Sequence, residues 1–516
     1  MNRKYLLLST LVFLIILAFA AFVYFYKLGQ IPNGVYVDEA AVIYNAKSIL
    51  ETGKDEYGQT LPIYFRLMGS YTPPLFIYVS AFLMKFFGPG LLVARSISGV
   101  SMLISVVFFF LLARKVGIYK NKTSYLLVTF FYAITPWIVF NARLGYETTL
   151  GFLIFNIGVY YLYSALENPK YYSWSVLFLS ISTYISHNQR FLAPLILLTF
   201  VIFFRKLIFI RQNKFHLIYA LIIGVLTQIP NIVMLGTNAF WVKNVQFNFK
   251  YFWNFYNYLS PKTIFWESGD IDLQHTIPGL SLAYNWMVFP YIFGLFFLVK
   301  NIQKNGNKFI TLYGLTTLVP AVFSGYFLST QRSLAFAVPL LFIIGIGIDY
   351  LLTKVGKKTL FWVVCCFVIF YSLLILYRSY FVLFPKERAN AWNYGYDQLA
   401  VFIQANPGKK FVIDDTRNPQ SYILFLYYLD YPPLKYQGEV ESKFKNNYYQ
   451  SLPAENSYQF SNIKIHPVDW KRDLDSNYII GDPLSISDKQ AKEHGLSKVG
   501  EVRDPLGEVV FNIYSR

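Results

Sequence analysis

The sequence predicts a polytopic α-helical membrane protein carrying a small α/β domain at its carboxyl end. Three observations carry that reading. Of 516 residues, 55% are hydrophobic and only 14% charged, against roughly 25% charged in a soluble domain. Mean hydropathy is +0.39, and so few charges could not cover a water-facing surface of that size. Apolar runs of membrane-crossing length recur up to about residue 382, after which the composition changes to short mixed segments with turn residues. The net charge of +18 would suit nucleic acid in a soluble protein. In a membrane protein it is the positive charge of cytoplasmic loops, so no nucleic-acid partner is expected. Aromatic residues reach 20%, which suits interfacial belts. Cys365 and Cys366 lie side by side in an apolar run, so neither a disulfide framework nor a cysteine metal site is expected.

The first element is an apolar run over residues 5–26, preceded by Arg3 and Lys4. Its polarity is that of a signal peptide, and Ala18-Phe19-Ala20 mimics a cleavage site. The run of about 21 residues outlasts the roughly 7–15 of a signal's apolar region, so it reads as a retained anchor with an inside amino terminus.

Further runs lie near 96–113, 123–140, 148–166, 172–187, 191–204, 215–235, 284–299, 309–328, 334–353 and 359–382. Each is close to the length that crosses ~30 Å of hydrocarbon. The segment 73–87 decides the sidedness. If it crosses, Arg114, Lys115, Lys120, Lys122 and every later basic loop fall outside. If it lies on the outer surface as a juxtamembrane helix opening at Pro73-Pro74, there are eleven spans and the basic loops face the cytoplasm. Positive charge belongs inside, so the second arrangement is preferred.

Residues from about 384 onward then lie outside. There, 410–415 reads as a strand ending in Asp414-Asp415, 477–482 as a second and 508–514 as a third, with a helix over 421–429. The expected organisation is a transmembrane domain over 1–383, with outer loops 27–95 and 236–283, and an extracytoplasmic α/β domain over 384–516.

This topology gathers the unusual polar residues on one face. Asp38 and Glu39 follow the first span; Arg66 and Arg95 lie in or end the first outer loop. Arg143 and Glu147 come next, then His187 and Arg190, then Asp270, Asp272 and His275, and last Arg332. An unpaired ion at the bilayer centre costs roughly 2.5–3.5 kcal/mol, so such groups should face one another or water. Taken singly, each also fits a blander role: a solvated loop acid, an interfacial anchor or a turn residue. Asp270-x-Asp272 alone supplies too few oxygens for a divalent cation.

The ordered segments are Asp38-Glu39, GSYTPPLFIYVSAFLMKFFGPGLLVARSISG (69–99), NARLGYETTLGFLIFNIGVYYL (141–162), YISHNQRFLAPLILL (184–198), SGDIDLQHTIPG (268–279) and STQRSLAFAVPLL (329–341). In that order they resemble the GT-C class of integral-membrane glycosyltransferases. The nearest branch is that of dolichyl-phosphate-mannose–protein mannosyltransferases and aminoarabinose lipid A transferases. The resemblance covers roughly residues 1–353. It implies the GT-C fold, a polyprenyl-phosphate-sugar donor, a protein, lipid or glycan acceptor, and inverting transfer on the extracytoplasmic face of the plasma membrane.

It also implies roles. Asp38 matches the general base, Glu39 its acidic neighbour and Glu147 a second acid. His187, Arg190, Asp270, His275 and Arg332 match substrate-binding positions. Relatives often carry a Lys just before the Pro-Pro pair, where it can meet the lipid phosphate. Here that position is Thr72, so Arg66, Arg95, Arg143, Arg190 and Arg332 are the candidates for phosphate. Relatives differ on metal dependence; a divalent cation is therefore an open cofactor, and no metal ligand is assigned.

The chemistry suits these residue types. Displacement at the sugar's C1 needs a base on the acceptor hydroxyl and cations on the departing phosphate, and arginine forks can do what a metal does elsewhere. The runner-up function is a polyprenyl-linked glycan ligase or polymerase, which usually lacks an acid pair after the first span. A transporter or flippase would instead carry mid-membrane charges and paired, gapped helices.

Overall fold

In the computed structural model of the chain, the described residues are 3–241, 249–267, 272–325, 328–354, 358–440, 442–450 and 457–516. They form two compact units. The first comprises Met1–Tyr26, Arg95–Val233 and Lys243–Phe381; the second comprises Lys27–Ala94, Met234–Val242 and Val382–Arg516.

The first unit is helical, as expected from all-round apolar runs. The helices Arg3–Phe25, Lys214–Met234 and Lys358–Leu376 leave large apolar side chains exposed, among them Leu14, Phe22, Leu221, Val233, Val363 and Phe367. Surfaces of that kind belong against lipid. Helices Val288–Lys300 and Ala337–Lys354 cross at paired glycines. A Cβ on Gly294 would sit 1.8 Å from the Ile343 carbonyl oxygen, and one on Gly347 1.8 Å from that of Pro290. Small residues at a helix crossing let the backbones close up and gain dispersion contact. Near the end of the second of these helices Asp349 is buried. It accepts from the amides of Lys120 and Asn121, both at 2.9 Å, and from Ser124 Oγ at 2.7 Å. A charge is buried there because its acceptor capacity is filled.

Each expected span has a helical counterpart, but six helices among the described residues are long and apolar enough to cross a bilayer. A seventh crossing arises only if Asn285–Lys300 and Asn305–Val322, bent by 119°, count as one. The expected span 123–140 is two helices, Lys122–Ile134 and Pro136–Asn141. Pro136 pushes Thr135 to an extended ψ of 134° and ends the first helix. The helix expected over 172–187 stops at Ser182. The amphipathic pattern does not register these breaks, which is why eleven full-length spans were expected.

In the second unit, β1 (Phe65–Leu67) and β2 (Ser70–Thr72) form a hairpin. Met68 and Gly69, at φ 47° and 70°, supply the left-handed pair that such a tight turn needs. The expected juxtamembrane helix follows as Leu75–Phe87. It buries Phe76, Ile77, Ser80, Ala81 and Met84 while exposing Phe82, Phe86 and Phe87.

The tail forms a six-stranded sheet from β3 (Phe411–Ile413), β4 (Tyr458–Phe460), β5 (Ile463–Ile465), β6 (Tyr478–Gly481), β7 (Ser497–Arg503) and β8 (Val509–Ser515), in the order β4-β5-β3-β6-β8-β7. The three expected strands are β3, β6 and β8, and the expected helix is Tyr422–Tyr428. β3 pairs parallel with both β5 and β6; the remaining pairs are antiparallel. β4, β5 and β7 were not expected. Two are three-residue strands, and β7 reads as a charged loop because it is an edge strand carrying Lys498, Glu501 and Arg503.

Candidate functional site

In the second unit the acids sit on the helix Val37–Thr52. Both occupy its first turn, where the helix dipole favours negative charge. They do different things. Glu39 is fully buried and accepts from the Tyr36 amide at 3.3 Å, the reach-back of a capping box. Asp38 is half-buried.

The approach to this helix is tightly held. Asn33 Nδ2 donates to the Pro385 carbonyl at 2.6 Å, and Asn393 Nδ2 to that of Val35 at 2.9 Å. A Cβ on Gly34 would lie 1.9 Å from the Trp392 carbonyl oxygen. The far end is clamped too. Gln437 Nε2 donates to Ser48 Oγ, Thr52 Oγ1 and the Asp55 carbonyl at 2.9–3.0 Å.

Beyond that clamp lies a buried cluster that the sequence reading missed. Asp55 accepts from the amides of Tyr57 at 3.0 Å and Gln59 at 2.8 Å, and from the Tyr448 hydroxyl. Burial pushes its carboxyl up to about 6, against the lowering effect of those hydrogen bonds. Glu56 Oε1 accepts from the Tyr422 hydroxyl at 3.0 Å. Arg66, on β1, is fully buried in the same cluster. Its guanidinium lies 5.3 Å from the ring centres of both Tyr57 and Phe444, and Nη1 donates to the Phe444 carbonyl at 3.1 Å. That enclosure suits a cation that locks the hairpin.

In the first unit several cations and imidazoles collect at one end. His187 begins the helix His187–Ile208, and the Arg190 guanidinium donates to its Nδ1 one turn later. Asn188 Nδ2, between them, donates to the Arg332 carbonyl at 2.8 Å. Trp137 Nε1 donates to the Thr330 carbonyl at 3.0 Å, holding the turn that carries Arg332. Glu147 precedes the helix Thr148–Ser164 at its N-cap position, with no side-chain capping bond, and is half-buried. One turn on, Gly151 packs against Ser186 and Gln189, which places the Glu147 and His187 segments side by side. The Tyr146 hydroxyl meets His275 Nε2 at 3.1 Å, and Asp272 lies 3.9 Å from His275 Nδ1.

Arg95 and Arg143 are both fully buried in this unit. Arg143 Nη1 donates to the Val23 and Tyr24 carbonyls at 3.0 and 2.9 Å, and its guanidinium lies 5.2 Å from the ring centres of Tyr380 and Phe381. Burial holds its pKa below the ordinary value, Tyr380 opposes that, and the Arg95 cation adds to the lowering.

In the first unit the segments that carry Glu147, His187, Arg190, His275 and Arg332 adjoin, and Arg95 and Arg143 are both buried there. Asp38, Glu39 and Arg66 belong to the second unit. Asp270 lies outside the described residues. Among the described residues no three His, Cys, Asp or Glu side chains gather as a metal site.

Comparison with known proteins adds three findings. Residues 71–233 match the family model of dolichyl-phosphate-mannose-protein mannosyltransferases. No curated protein sequence matches the chain. The crystal structure of ArnT from Cupriavidus metallidurans bound to undecaprenyl phosphate superposes with a TM-score of 0.57 at 11% identity, covering 97% of each chain. Its apo form gives 0.55 at 12%, covering 98% of each. The fold is therefore GT-C, in a multi-pass membrane protein with a carboxyl-terminal sheet.

Proposed function

We propose that the chain is an integral-membrane glycosyltransferase that moves a sugar from a polyprenyl-phosphate donor to an acceptor hydroxyl, with inversion, on the extracytoplasmic face of the plasma membrane. The observation that carries this reading is the match of residues 71–233 to a mannosyltransferase family. That stretch holds Arg95, Arg143, Glu147, His187 and Arg190. The GT-C fold, shared along nearly the whole length of a protein solved with undecaprenyl phosphate, agrees with it.

In the proposed reaction Asp38 takes the acceptor's hydroxyl proton and the oxygen attacks C1. The bond from C1 to the phosphate oxygen breaks, and polyprenyl phosphate leaves with the electron pair. A single displacement inverts C1. Arg190 and Arg332 meet the leaving phosphate, with Arg95 and Arg143 supplying positive field behind them. His187 and His275 orient sugar and phosphate oxygens, Glu147 acts as second acid, and Glu39 positions Asp38. The domain boundary near residue 383 and the outward placement of both outer loops belong to the same proposal.

The test is release of polyprenyl phosphate by the full chain in proteoliposomes. It is given polyprenyl-phosphate mannose, galactose or aminoarabinose together with membrane extract. We expect release with at least one donor and a loss of about 10²–10⁴-fold in Asp38→Asn. No release from any donor, or full activity in Asp38→Asn, contradicts the proposal.

A further inference from the structure

A surface pocket of about 350 Å³ opens in the second unit, at the low end of ligand-sized cavities. Its apolar walls are the rings of Tyr57, Tyr436, Phe444, Tyr458 and Phe460, all five residues buried. Glu439 and Gln459 stand on its exposed rim.

The walls are set before any ligand arrives. Tyr458 is stacked on Tyr422, with ring centres 3.8 Å apart and planes at 12°. Tyr57 and Phe444 are held on one side by the Arg66 guanidinium. Tyr436 meets Tyr44 and Phe460 edge-on, at 6.1 and 5.8 Å. Glu439 is fixed by the Tyr431 hydroxyl at 2.7 Å. Rings locked by neighbours lose little entropy when a ligand packs on them.

The pocket's chemistry selects its occupant. Among the described lining residues Glu439 is the one charged side chain, and Lys435 Nζ lies 4.0 Å from its carboxylate, so the described lining offers a phosphate no cation of its own. Flat rings beneath and a rim of carboxylate and amide instead fit a ligand with apolar C–H faces and hydroxyl edges. We propose that this pocket is a saccharide-binding subsite for a neutral pyranose ring of the acceptor. The proposal rests on the glycosyltransferase reading for why an acceptor sugar should be present, and on the pocket alone for whether one binds.

Saturation-transfer difference NMR on the full chain in lipid nanodiscs tests it, with methyl α-mannopyranoside and methyl β-glucopyranoside as probes. The peptide Ala-Ser-Thr-Ala serves as the competing class. We expect transfer to the ring C–H protons of at least one glycoside. Binding should weaken by about tenfold in Tyr458→Ala and about threefold in Gln459→Ala, and stay unchanged in Asp38→Asn. Gln459 lies on the exposed rim, so its variant keeps the test sound should Tyr458→Ala fail to fold. Transfer to the peptide alone, transfer to no probe, or wild-type binding in Gln459→Ala overturns the subsite. Glycoside binding without polyprenyl phosphate release would sink the activity and leave the pocket. Release without glycoside binding would do the reverse.

Discussion

At the residue scale, the acid pair after the first span separates into two jobs. Glu39 is enclosed and caps its helix, whereas Asp38 is half-buried and is the proposed base. A glutamine can make the same reach-back to the Tyr36 amide. Glu39→Gln should therefore keep polyprenyl phosphate release within a few-fold of wild type, while Asp38→Asn loses about 10²–10⁴-fold. Equal losses in the two would assign the chemistry to the pair rather than to Asp38. Asp55 makes a second residue-scale prediction. Its carboxyl titrates at about 6 when folded, against 3.8 ordinarily. Between those values the native state holds a proton that the unfolded chain has released, so stability falls as pH rises through that window. Asp415, raised to about 6 by burial and by Asp414, adds the same slope. Melting temperature measured between about pH 4 and 7 should fall with pH in the wild type and fall less in Asp55→Asn; an unchanged slope would refute this role of Asp55. The sequence could not disclose Asp55 or Glu56. Their burial comes from Tyr422, Gln437 and Tyr448, more than 360 positions away, whereas Asp38 announced itself by following a span.

At the element scale, the helix bearing Asp38 is placed by contacts at both ends. Gly34→Ala would drive a methyl into the Trp392 carbonyl. Overpacking of this kind costs about 1–3 kcal/mol, so the variant should melt lower and transfer more slowly, and wild-type values for both would show that the loop can yield. The helix Leu75–Phe87 was legible as a short apolar helix opening after its Pro-Pro start, and its proposed place on the membrane surface rests on the charge of the later loops. Its exposed Phe82 and Phe86 suit contact with lipid or a prenyl tail. Phe82→Glu/Phe86→Glu should therefore slow transfer from a long polyprenyl donor and spare a short-chain donor; equal effects on both would remove the tail contact. Span lengths were less legible. Thr135-Pro136 breaks a run that hydropathy alone reads as continuous, and paired glycines such as Gly294 and Gly347 tighten crossings without altering the apolar count.

At the scale of the whole molecule, composition and charge placement carried the reading furthest. A chain with 14% charged residues has to bury its apolar helices in lipid, and the basic loops set its orientation. The enzymatic proposal depends on the orientation proposed from those loops, in which Asp38 and His275 share the outer compartment. The measurement is labelling of single cysteines at residues 38 and 275 in intact cells, in a background with Cys365 and Cys366 replaced by alanine, using a reagent that does not cross membranes. The account predicts that both positions react from outside; reaction of one from outside and of the other only after the membrane is opened would contradict it.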